Sequence, residues 1–298
     1  MNGRIGLIER AAARLRQDAA APQPAPVASP PVVTKMPAPP RPARGASGQP
    51  LKQHMTLDRP QLAQRGILMP WTTTARVVEE FRIIKRNLMA EWPSLEKLGT
   101  EENLSRVVMV TSARPREGKT FSSINLALAF AAEEKFTTIL VDADTVRGDS
   151  ARTLQIPTEP GLTDVLAGKL GLSDVLVQSD LENLVVLPPG APGPHVPELL
   201  TSAAPAHLIS TITERYPNHV IVMDTPPCLA STDPTALSAI ARQVVFVVEA
   251  THTQQPEIES ALSLISGCSH ISFLLNLVPN TTSEHFGSYS YYYQGPEK

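Results

Sequence analysis

The sequence predicts an α/β protein whose mostly parallel, doubly wound sheet is covered by helices on both faces. From residue 106 onward, short apolar runs alternate with segments of helical periodicity, which is the pattern of such a sheet. A lysine-containing turn between a strand and a helix, and two apolar runs that end in aspartate, point the same way. The expected strands are 107–111, 138–142, 184–188, 220–224, 244–249 and 271–276, and the expected helices are 119–133, 161–168, 196–215, 234–242 and 256–267.

The turn after the first of these strands carries the residues of a phosphate-binding loop. A β-branched run at 107–110 leads into Gly118, Lys119 and Thr120, and an alanine-rich helical segment follows. A nucleoside triphosphate needs backbone N–H groups at a helix N-terminus, a lysine for its terminal charge and a hydroxyl for Mg²⁺. Ala113 replaces the first glycine of the usual G-x-x-x-x-G-K-[ST] pattern. The prediction therefore rests on the strand before and the helical segment after the tripeptide Gly118-Lys119-Thr120.

Two later strands end in carboxylates. The run at 138–141 is followed by Asp142 and Asp144, and the run at 220–223 is followed by Asp224. Open α/β sheets bind ligands at the carboxyl ends of their strands, and nucleotide-bound Mg²⁺ takes one or two carboxylates as ligands. One such Asp is as often a helix cap or a turn residue. Three of them behind a G-K-T loop predict a nucleotide and magnesium site.

These motifs resemble those of the bacterial tyrosine kinases of exopolysaccharide and capsule systems, which use P-loop ATPase machinery. The family loop reads S-x-x-P-G-E-G-K-[ST] and is matched by Ser112, Pro115, Glu117, Gly118, Lys119 and Thr120. The family motifs D-x-D and D-x-P-P are matched by Asp142 and Asp144, and by Asp224, Pro226 and Pro227. Arg116 stands at the position of a family glycine. Val146 stands where many members have arginine, and Arg147 is adjacent to it.

The resemblance implies an ATP- and Mg²⁺-dependent tyrosine autokinase and assigns roles to its residues. The catalytic residues would be Lys119, Asp142, Asp144 and Asp224, with Asp142 accepting the tyrosine proton. Thr120, Asp144 and Asp224 would hold the metal or its waters. The nucleotide would be bound by Ser112, Pro115, Arg116, Glu117, Gly118, Lys119, Thr120 and Phe121. Asn276, at the end of the last expected strand, is a candidate for contact with the adenine, although such a residue more often caps a turn.

Tyrosines are concentrated at the C-terminus. Four of the five in the chain lie in its last ten residues, among small and polar neighbours: Tyr289, Tyr291, Tyr292 and Tyr293. Because tyrosine usually anchors a core or an interface, a terminal strand or an aromatic docking segment is one interpretation. The polar composition favours a flexible tail that is phosphorylated. The resemblance implies that a neighbouring subunit modifies it.

Four regions are expected along the chain. They are an amphipathic helix at 1–18, a disordered Pro/Ala-rich linker at 19–70, the P-loop kinase domain at 71–280 and a flexible Tyr-rich tail at 281–298. The linker is predicted because residues 20–60 contain eleven of the 29 prolines. The Arg-rich first helix either has no role or docks on a partner or an anionic membrane surface. Its resemblance to the first helix of exosortase-linked kinases favours docking.

Residues 75–92 have helical periodicity, with an apolar stripe and a charged face. Glu79, Arg82 and Lys85 recur on that face, an arrangement that most often forms solvated ion pairs. In the family, an E-x-x-R-x-x-R helix packs subunits into a ring. The resemblance therefore implies a ring-like homo-oligomer, with an altered contact because lysine lacks the bidentate fork of arginine.

Composition limits the remaining possibilities. The net charge of −3 and the pI of about 6.2 give no basic bias toward nucleic acid. Two cysteines without metal-ligand spacing predict neither a disulfide framework nor a zinc site, which fits a reducing cytoplasm. No apolar run approaches a membrane span. A cytoplasmic protein, peripheral at the inner face of the membrane, is expected. The resemblance implies two partners for it, an integral membrane polysaccharide co-polymerase and a cognate tyrosine phosphatase.

Two other functions are compatible with the same motifs. One is a positioning ATPase of the MinD/ParA type, in which a signature lysine occupies the position held here by Arg114. The other is a nucleotide-sensing scaffold without transferase activity, which the departures at Arg116 and Lys85 favour. The residues Pro115 and Glu117, the Pro-Pro pair after Asp224 and the tyrosine-rich tail favour the kinase.

Overall fold

The computed structural model of the chain describes residues 51–71, 76–96 and 106–279. The helix expected at 1–18, the tail expected at 281–298 and most of the expected linker lie outside these residues. Among the helices that are described, none is both long and apolar enough to cross a bilayer.

The described residues form one sheet with eight strands. The strands are β1 Gln53–Met55, β2 Val107–Ser112, β3 Thr137–Asp142, β4 Val177–Ser179, β5 Leu184–Leu187, β6 His219–Asp224, β7 Gln243–Glu249 and β8 Ile271–Asn276. Their order is β1-β4-β5-β3-β6-β2-β7-β8, and every neighbouring pair is parallel except β4 and β5. The mostly parallel sheet and all six expected strands are confirmed. Strands β1 and β4 were missed because three residues are too few to show a periodicity.

The helices lie between these strands. They are α1 Arg59–Gln64, α2 Arg76–Glu96, α3 Lys119–Ala131, α4 Asp149–Thr153, α5 Leu162–Leu166, α6 Leu172–Val175, α7 Val196–Thr201, α8 Ala204–Arg215, α9 Asp233–Ser238 and α10 Gln255–Leu264. The single helix predicted for 196–215 is wrong. It is divided into α7 and α8, because Ser202 is extended and Pro205 begins a new first turn.

Two apolar cores lie on opposite faces of the sheet. In β2, Val107 and Met109 join the core that packs against α8 and α9, whereas Val108 and Val110 join the core that packs against α2 and α3. This alternation follows from the two-residue period of a strand. Because both faces are covered, the carboxyl ends of the strands are the natural place for a polar site.

The ordered domain begins earlier than predicted. The linker was expected to extend to residue 70, but residues 53–64 contribute β1 and α1 to the fold. Four apolar side chains of this segment are buried: Leu57, Leu62, Ile67 and Met69. The prediction relied on proline content, which falls after residue 50, and it overlooked these widely spaced anchors.

Helix α2 packs its predicted apolar stripe against α3. Phe81, Leu88 and Trp92 are buried, and the Trp92 ring stacks on Phe130 with centroids 5.9 Å apart. The Trp92 indole N–H donates to Gln243 at 3.0 Å, which ties the helix to the start of β7. The long helix is therefore held by a buried aromatic contact and a buried hydrogen bond.

The three charged residues of α2 differ in their surroundings. Arg82 forms an ion pair with Glu79 and also donates to the carbonyl of Pro70. Lys85 is buried and forms an ion pair with Glu133, just beyond the end of α3. Lys85 therefore ties α2 to α3 within one chain. Its contact with a second subunit stays a prediction.

Candidate nucleotide-binding site

The loop between β2 and α3 is braced by a buried glutamate. Glu117 is only 1% exposed, and its carboxylate accepts the backbone N–H of Arg114 at 2.7 Å and the hydroxyl of Thr253. From the end of β8, the side-chain amide of Asn276 donates to the Glu117 carbonyl at 2.9 Å. The loop is thus held in shape by contacts from two neighbouring elements.

Gly118 permits this close approach. A Cβ atom at this position would lie 2.0 Å from the amide nitrogen of Asn276, and φ of Gly118 is 93°. Both constraints favour glycine. Asn276, expected to contact adenine, binds the loop backbone in this structure. The contact of Thr253 with the loop was not predicted, because this residue lies after β7, far from any motif.

The backbone at Arg116 has a conformation that favours glycine, the residue found at this position in the motif of the family that the sequence resembles. Its φ is 72°, in the left-handed region that L-residues adopt at a cost of about 1–2 kcal/mol. The loop keeps its shape with arginine here, and the side chain is exposed.

We expect Arg116→Gly to stabilise the fold by about 0.5–1 kcal/mol, because relief of the left-handed strain exceeds the entropic cost of glycine. Urea unfolding followed by circular dichroism measures this. Arg114→Gly is the matched control, since Arg114 lies in the same loop without positive φ and is expected to lose stability. Equal losses in both variants would show that the strain is not felt at residue 116.

Lys119 begins α3 and is 5% exposed. Its ammonium group lies near two carboxylates and lowers the pKa of both Asp144 and Asp224, against the stronger effect of burial. The side chain of the next residue, Thr120, also lowers the pKa of Asp224. Lysine, hydroxyl and carboxylates therefore converge at the first turn of α3, where backbone N–H groups have no helical partner.

Asp224 ends β6 and is completely buried beneath the loop. Its two oxygens accept hydroxyl hydrogen bonds from Ser123 at 3.2 Å and from Ser150 at 2.8 Å. Burial raises its pKa above the ordinary value, and Lys119 opposes that rise. The two serines, one on α3 and one on α4, fix the orientation of the carboxylate and were not predicted from the motifs.

Asp142 ends β3 and is paired in register with Asp224 on the neighbouring strand. Its Oδ2 accepts the backbone N–H of Ala151 at 2.8 Å, while its buried Oδ1 has no hydrogen-bond partner among the residues that the structure describes. Burial, then the charges of Asp224 and Asp144, raise the pKa of Asp142 well above its ordinary value. The pKa of Asp144 is also raised, chiefly by burial.

These carboxylates fit a magnesium ion that is held together with phosphate. The unpartnered Oδ1 of Asp142 and the repulsion between neighbouring carboxylates are features that a divalent cation and its waters would relieve. No three His, Cys, Asp or Glu side chains enclose a metal position within the described residues. Nucleotide-bound Mg²⁺ usually takes only one or two carboxylates and completes its shell with phosphates and waters.

We expect Asp142→Asn to stabilise the nucleotide-free protein increasingly as pH rises. Because the folded pKa of Asp142 is raised, its stabilising contribution is complete below the ordinary pKa of about 4 and is lost as pH rises through the folded value. The amide keeps the acceptor for Ala151 and removes the charge. Urea unfolding across this pH window measures the difference.

Asp174→Asn is the control for this comparison. The pKa of Asp174 is lowered by its hydrogen bond with Lys52 and by the Lys52 charge, so its removal brings no such gain. If Asp142→Asn were destabilising at neutral pH, the carboxylate would not be under the repulsion inferred here.

A cleft of about 560 Å³ opens beside the carboxylates. It lies between the segment after Asp144 and the segment after Asp224. Its walls include Thr145, Val146, Pro192, Gly193, Val196, Pro197, Cys228, Leu229, Ala230, Ser231, Thr232, Asp233, Thr235 and Leu264. The backbone N–H of Cys228 donates to the Ser112 carbonyl at 2.8 Å, so this wall is attached to the start of the phosphate-binding loop.

The other predicted site residues have varied surroundings. The Ser112 hydroxyl donates to the Arg114 carbonyl at 2.8 Å and shapes the loop. Pro115 is exposed. The ring of Phe121 packs edge-on against Phe81, so only its backbone N–H is available to phosphate. The Arg114 guanidinium forms an ion pair with Glu257 of α10 at 3.3 Å.

Comparisons with known proteins point to one group of enzymes. No family model matches the chain. The tyrosine-protein kinase CpsD of Streptococcus agalactiae is 30% identical over 191 residues, covering 63% of this chain and 82% of that protein. The tyrosine-protein kinase YwqD of Bacillus subtilis is 29% identical over 231 residues, covering 77% and 92%. The tyrosine-protein kinase wzc of Salmonella typhimurium is 30% identical over 198 residues, and the chain spans 27% of its length.

Solved structures agree. The kinase domain of VpsO has a TM-score of 0.54 at 32% identity, with 69% of this chain and 100% of that domain covered. The chimerical protein CapA2B2 has a TM-score of 0.62 at 25% identity, with coverages of 78% and 95%. The septum site-determining protein MinD of Pyrococcus horikoshii, complexed with Mg-ADP, has a TM-score of 0.50 at 21% identity and coverages of 61% and 77%, a likeness of fold alone.

Proposed function

This chain belongs to the bacterial tyrosine-protein kinases, and on that premise we propose that it transfers the γ-phosphate of ATP to tyrosines at its own C-terminus. We propose further that this autophosphorylation regulates polymerisation or export of an exopolysaccharide. The observation that carries the proposal is the convergence of Lys119, Thr120 and three strand-end carboxylates beside an open cleft.

The phosphate-binding loop positions the nucleotide. Lys119 and the free N–H groups at the start of α3 bind the β- and γ-phosphates and offset their charge. Thr120, Asp144 and Asp224 would hold Mg²⁺ or its waters, and the ion would supply positive charge next to the phosphates. Phosphoryl transfer depends mainly on positioning and charge neutralisation, and these residues provide both.

Asp142 is assigned to accept the tyrosine proton. Burial and neighbouring carboxylates raise its pKa, which brings it toward the range in which a general base works best. Among the described residues, none forms a hydrogen bond with its Oδ1.

The cleft receives the acceptor tyrosine. Its volume of about 560 Å³ lies within the range of ligand sites, and its wall includes Thr145, the residue after Asp144. Apolar wall residues such as Val196 and Leu229 suit an aromatic ring, while Asp233 and neighbouring hydroxyls suit a polar backbone. The acceptor is a tail tyrosine of a second copy in a ring-like oligomer, with Glu79, Arg82 and Lys85 at or near the contact.

One observation disfavours the positioning ATPase. The signature lysine of such proteins is replaced by Arg114, and the Arg114 guanidinium is paired with Glu257 of the same chain. A nucleotide-sensing scaffold gains nothing from Arg116, because its φ of 72° lies in the left-handed region that glycine also adopts.

Incubation of the purified full chain with γ-labelled ATP and Mg²⁺ tests the proposed function. We expect label on protein tyrosine, with little release of free phosphate. Rapid phosphate release without phosphotyrosine would support the positioning ATPase, and neither product would support the scaffold.

Membrane association is proposed to depend on a partner. An integral membrane polysaccharide co-polymerase would recruit and activate the cytoplasmic kinase, and a cognate tyrosine phosphatase would reset it. The Arg-rich segment at 1–18 would add a second, reversible contact. Fractionation of cells with and without the co-expressed partner tests this, with deletion of residues 1–50 as a comparison. Equal membrane binding without a partner would contradict it.

A further inference from the structure

Strand β8 presents an unusual apolar surface at the edge of the sheet. It is the outermost strand next to β7, and within the described part of the chain no other strand pairs with its outer edge. Phe273 and Leu275 point to one face and are 50% and 54% exposed. Leu277, just beyond the strand, is also 54% exposed.

Within the described ranges, this edge lacks the usual protection against pairing. Natural edge strands are blunted by charges, prolines, bulges or covering elements. Residues 271–278 contain no charged side chain and no proline, and the strand runs for six residues beside β7. Phe273 contacts Phe246 edge-on at 5.8 Å, so only one side of its ring is covered. An uncharged apolar edge of this length is suited to accept another strand.

The chain itself supplies a matching segment. Nineteen residues, 280–298, continue from the end of this strand, and they include Ser288–Tyr293, which has the same length as β8. In this segment Tyr289, Tyr291 and Tyr293 recur every second residue, so an extended backbone would place all three rings on one face. Tyrosine favours strands, and aromatic pairs across strands stabilise them.

We propose that Ser288–Tyr293 docks in cis along the outer edge of β8 as an antiparallel strand. The backbone groups of the edge would pair with those of the segment, and the alternating tyrosine rings would cover Phe273 and Leu275. The intervening residues 277–287 are more than enough to reverse the chain direction. Direct continuity with β8 gives a high effective concentration, which favours this occupant over a second copy.

Docking would withhold the tyrosines from transfer until the segment is released. Each phosphate adds a charge of about −1.5 to −2, which cannot be buried against apolar side chains, so a phosphorylated segment would stay released. This consequence rests on the proposed function. The docking itself does not, because it needs neither ATP nor catalysis.

Amide hydrogen exchange on the dephosphorylated full chain tests the docking. We expect removal of residues 281–298 to speed exchange of the outward amides of β8 at least ten-fold, while β2 and β6 exchange unchanged. Tyr291→Ser is expected to produce much of this effect. Tyr292→Ser, on the opposite face of the segment, is the matched control and is expected to produce little.

Three results would overturn the proposal. Equal exchange in the full and shortened chains would show that the segment does not cover β8. Equal effects of Tyr291→Ser and Tyr292→Ser on the exchange of β8 would contradict the proposal that Tyr291 lies on the face of the segment that covers Phe273 and Leu275. Protection that disappears on hundred-fold dilution would assign the edge to a second copy. These readouts need no kinase activity, so failure of the proposed function would leave them interpretable.

Discussion

Lys119→Met is expected to lower the rate of tyrosine phosphorylation at least about 100-fold while leaving the fold intact. Removing a preorganised charge that stabilises the transferring phosphoryl group typically costs this much. Methionine keeps the apolar stem of the buried side chain, so packing at the start of α3 is preserved. Anti-phosphotyrosine signal per mole of protein, together with circular dichroism, measures both effects.

Lys135→Met is the matched control. Lys135 is exposed in the turn that precedes β3. It therefore lies at the amino end of this strand, whereas the site lies at the carboxyl end. The phosphorylation rate of the Lys135→Met variant is expected to equal that of the unmodified chain. Undiminished phosphotyrosine in Lys119→Met would mean that the loop does not bind the transferred phosphate.

Replacing all four tail tyrosines by phenylalanine is expected to remove nearly all phosphotyrosine from the protein. The substituted residues are Tyr289, Tyr291, Tyr292 and Tyr293. The fifth tyrosine, Tyr216, is buried at 5% exposure, and its hydroxyl accepts a hydrogen bond from Arg215 at 3.1 Å. It is therefore inaccessible to an active site in the folded protein. Mass spectrometry of tryptic peptides measures the occupancy of each position.

Tyr216→Phe serves as the control for this variant and is expected to keep full phosphotyrosine. Its loss of one hydrogen bond at the end of α8 costs about 1 kcal/mol of stability without reaching the site. The tail assignment would fail if the principal phosphate were found on Tyr216.

The strands and carboxylates were predictable because each has a local signature. Buried parallel strands consist largely of β-branched apolar residues, and Asp142 and Asp224 directly follow such runs. Pairing of β3 with β6 then places these two carboxylates side by side. Local sequence is enough here because a parallel sheet brings its strand ends to one edge.

The bracing of the site was not predictable, because it depends on contacts between distant segments. Thr253 and Asn276 hold Glu117 from positions 136 and 159 residues away, and neither belongs to a motif. Lys85 was expected on an exposed face, but its partner Glu133 lies 48 residues further along. Periodicity shows which side of a helix is polar and does not show what lies opposite it.

A mixing experiment between two inactive variants tests the central claim most directly. Lys119→Met keeps its tail tyrosines but loses phosphate binding, whereas the four-phenylalanine variant keeps the loop and loses the acceptors. Each is combined with labelled ATP and Mg²⁺, alone and together, with the two chains distinguished by a size tag. We predict that label appears only in the mixture and only on tyrosines of the Lys119→Met chain. Absence of label in the mixture, when the unmodified chain is labelled, would contradict transfer to a second copy.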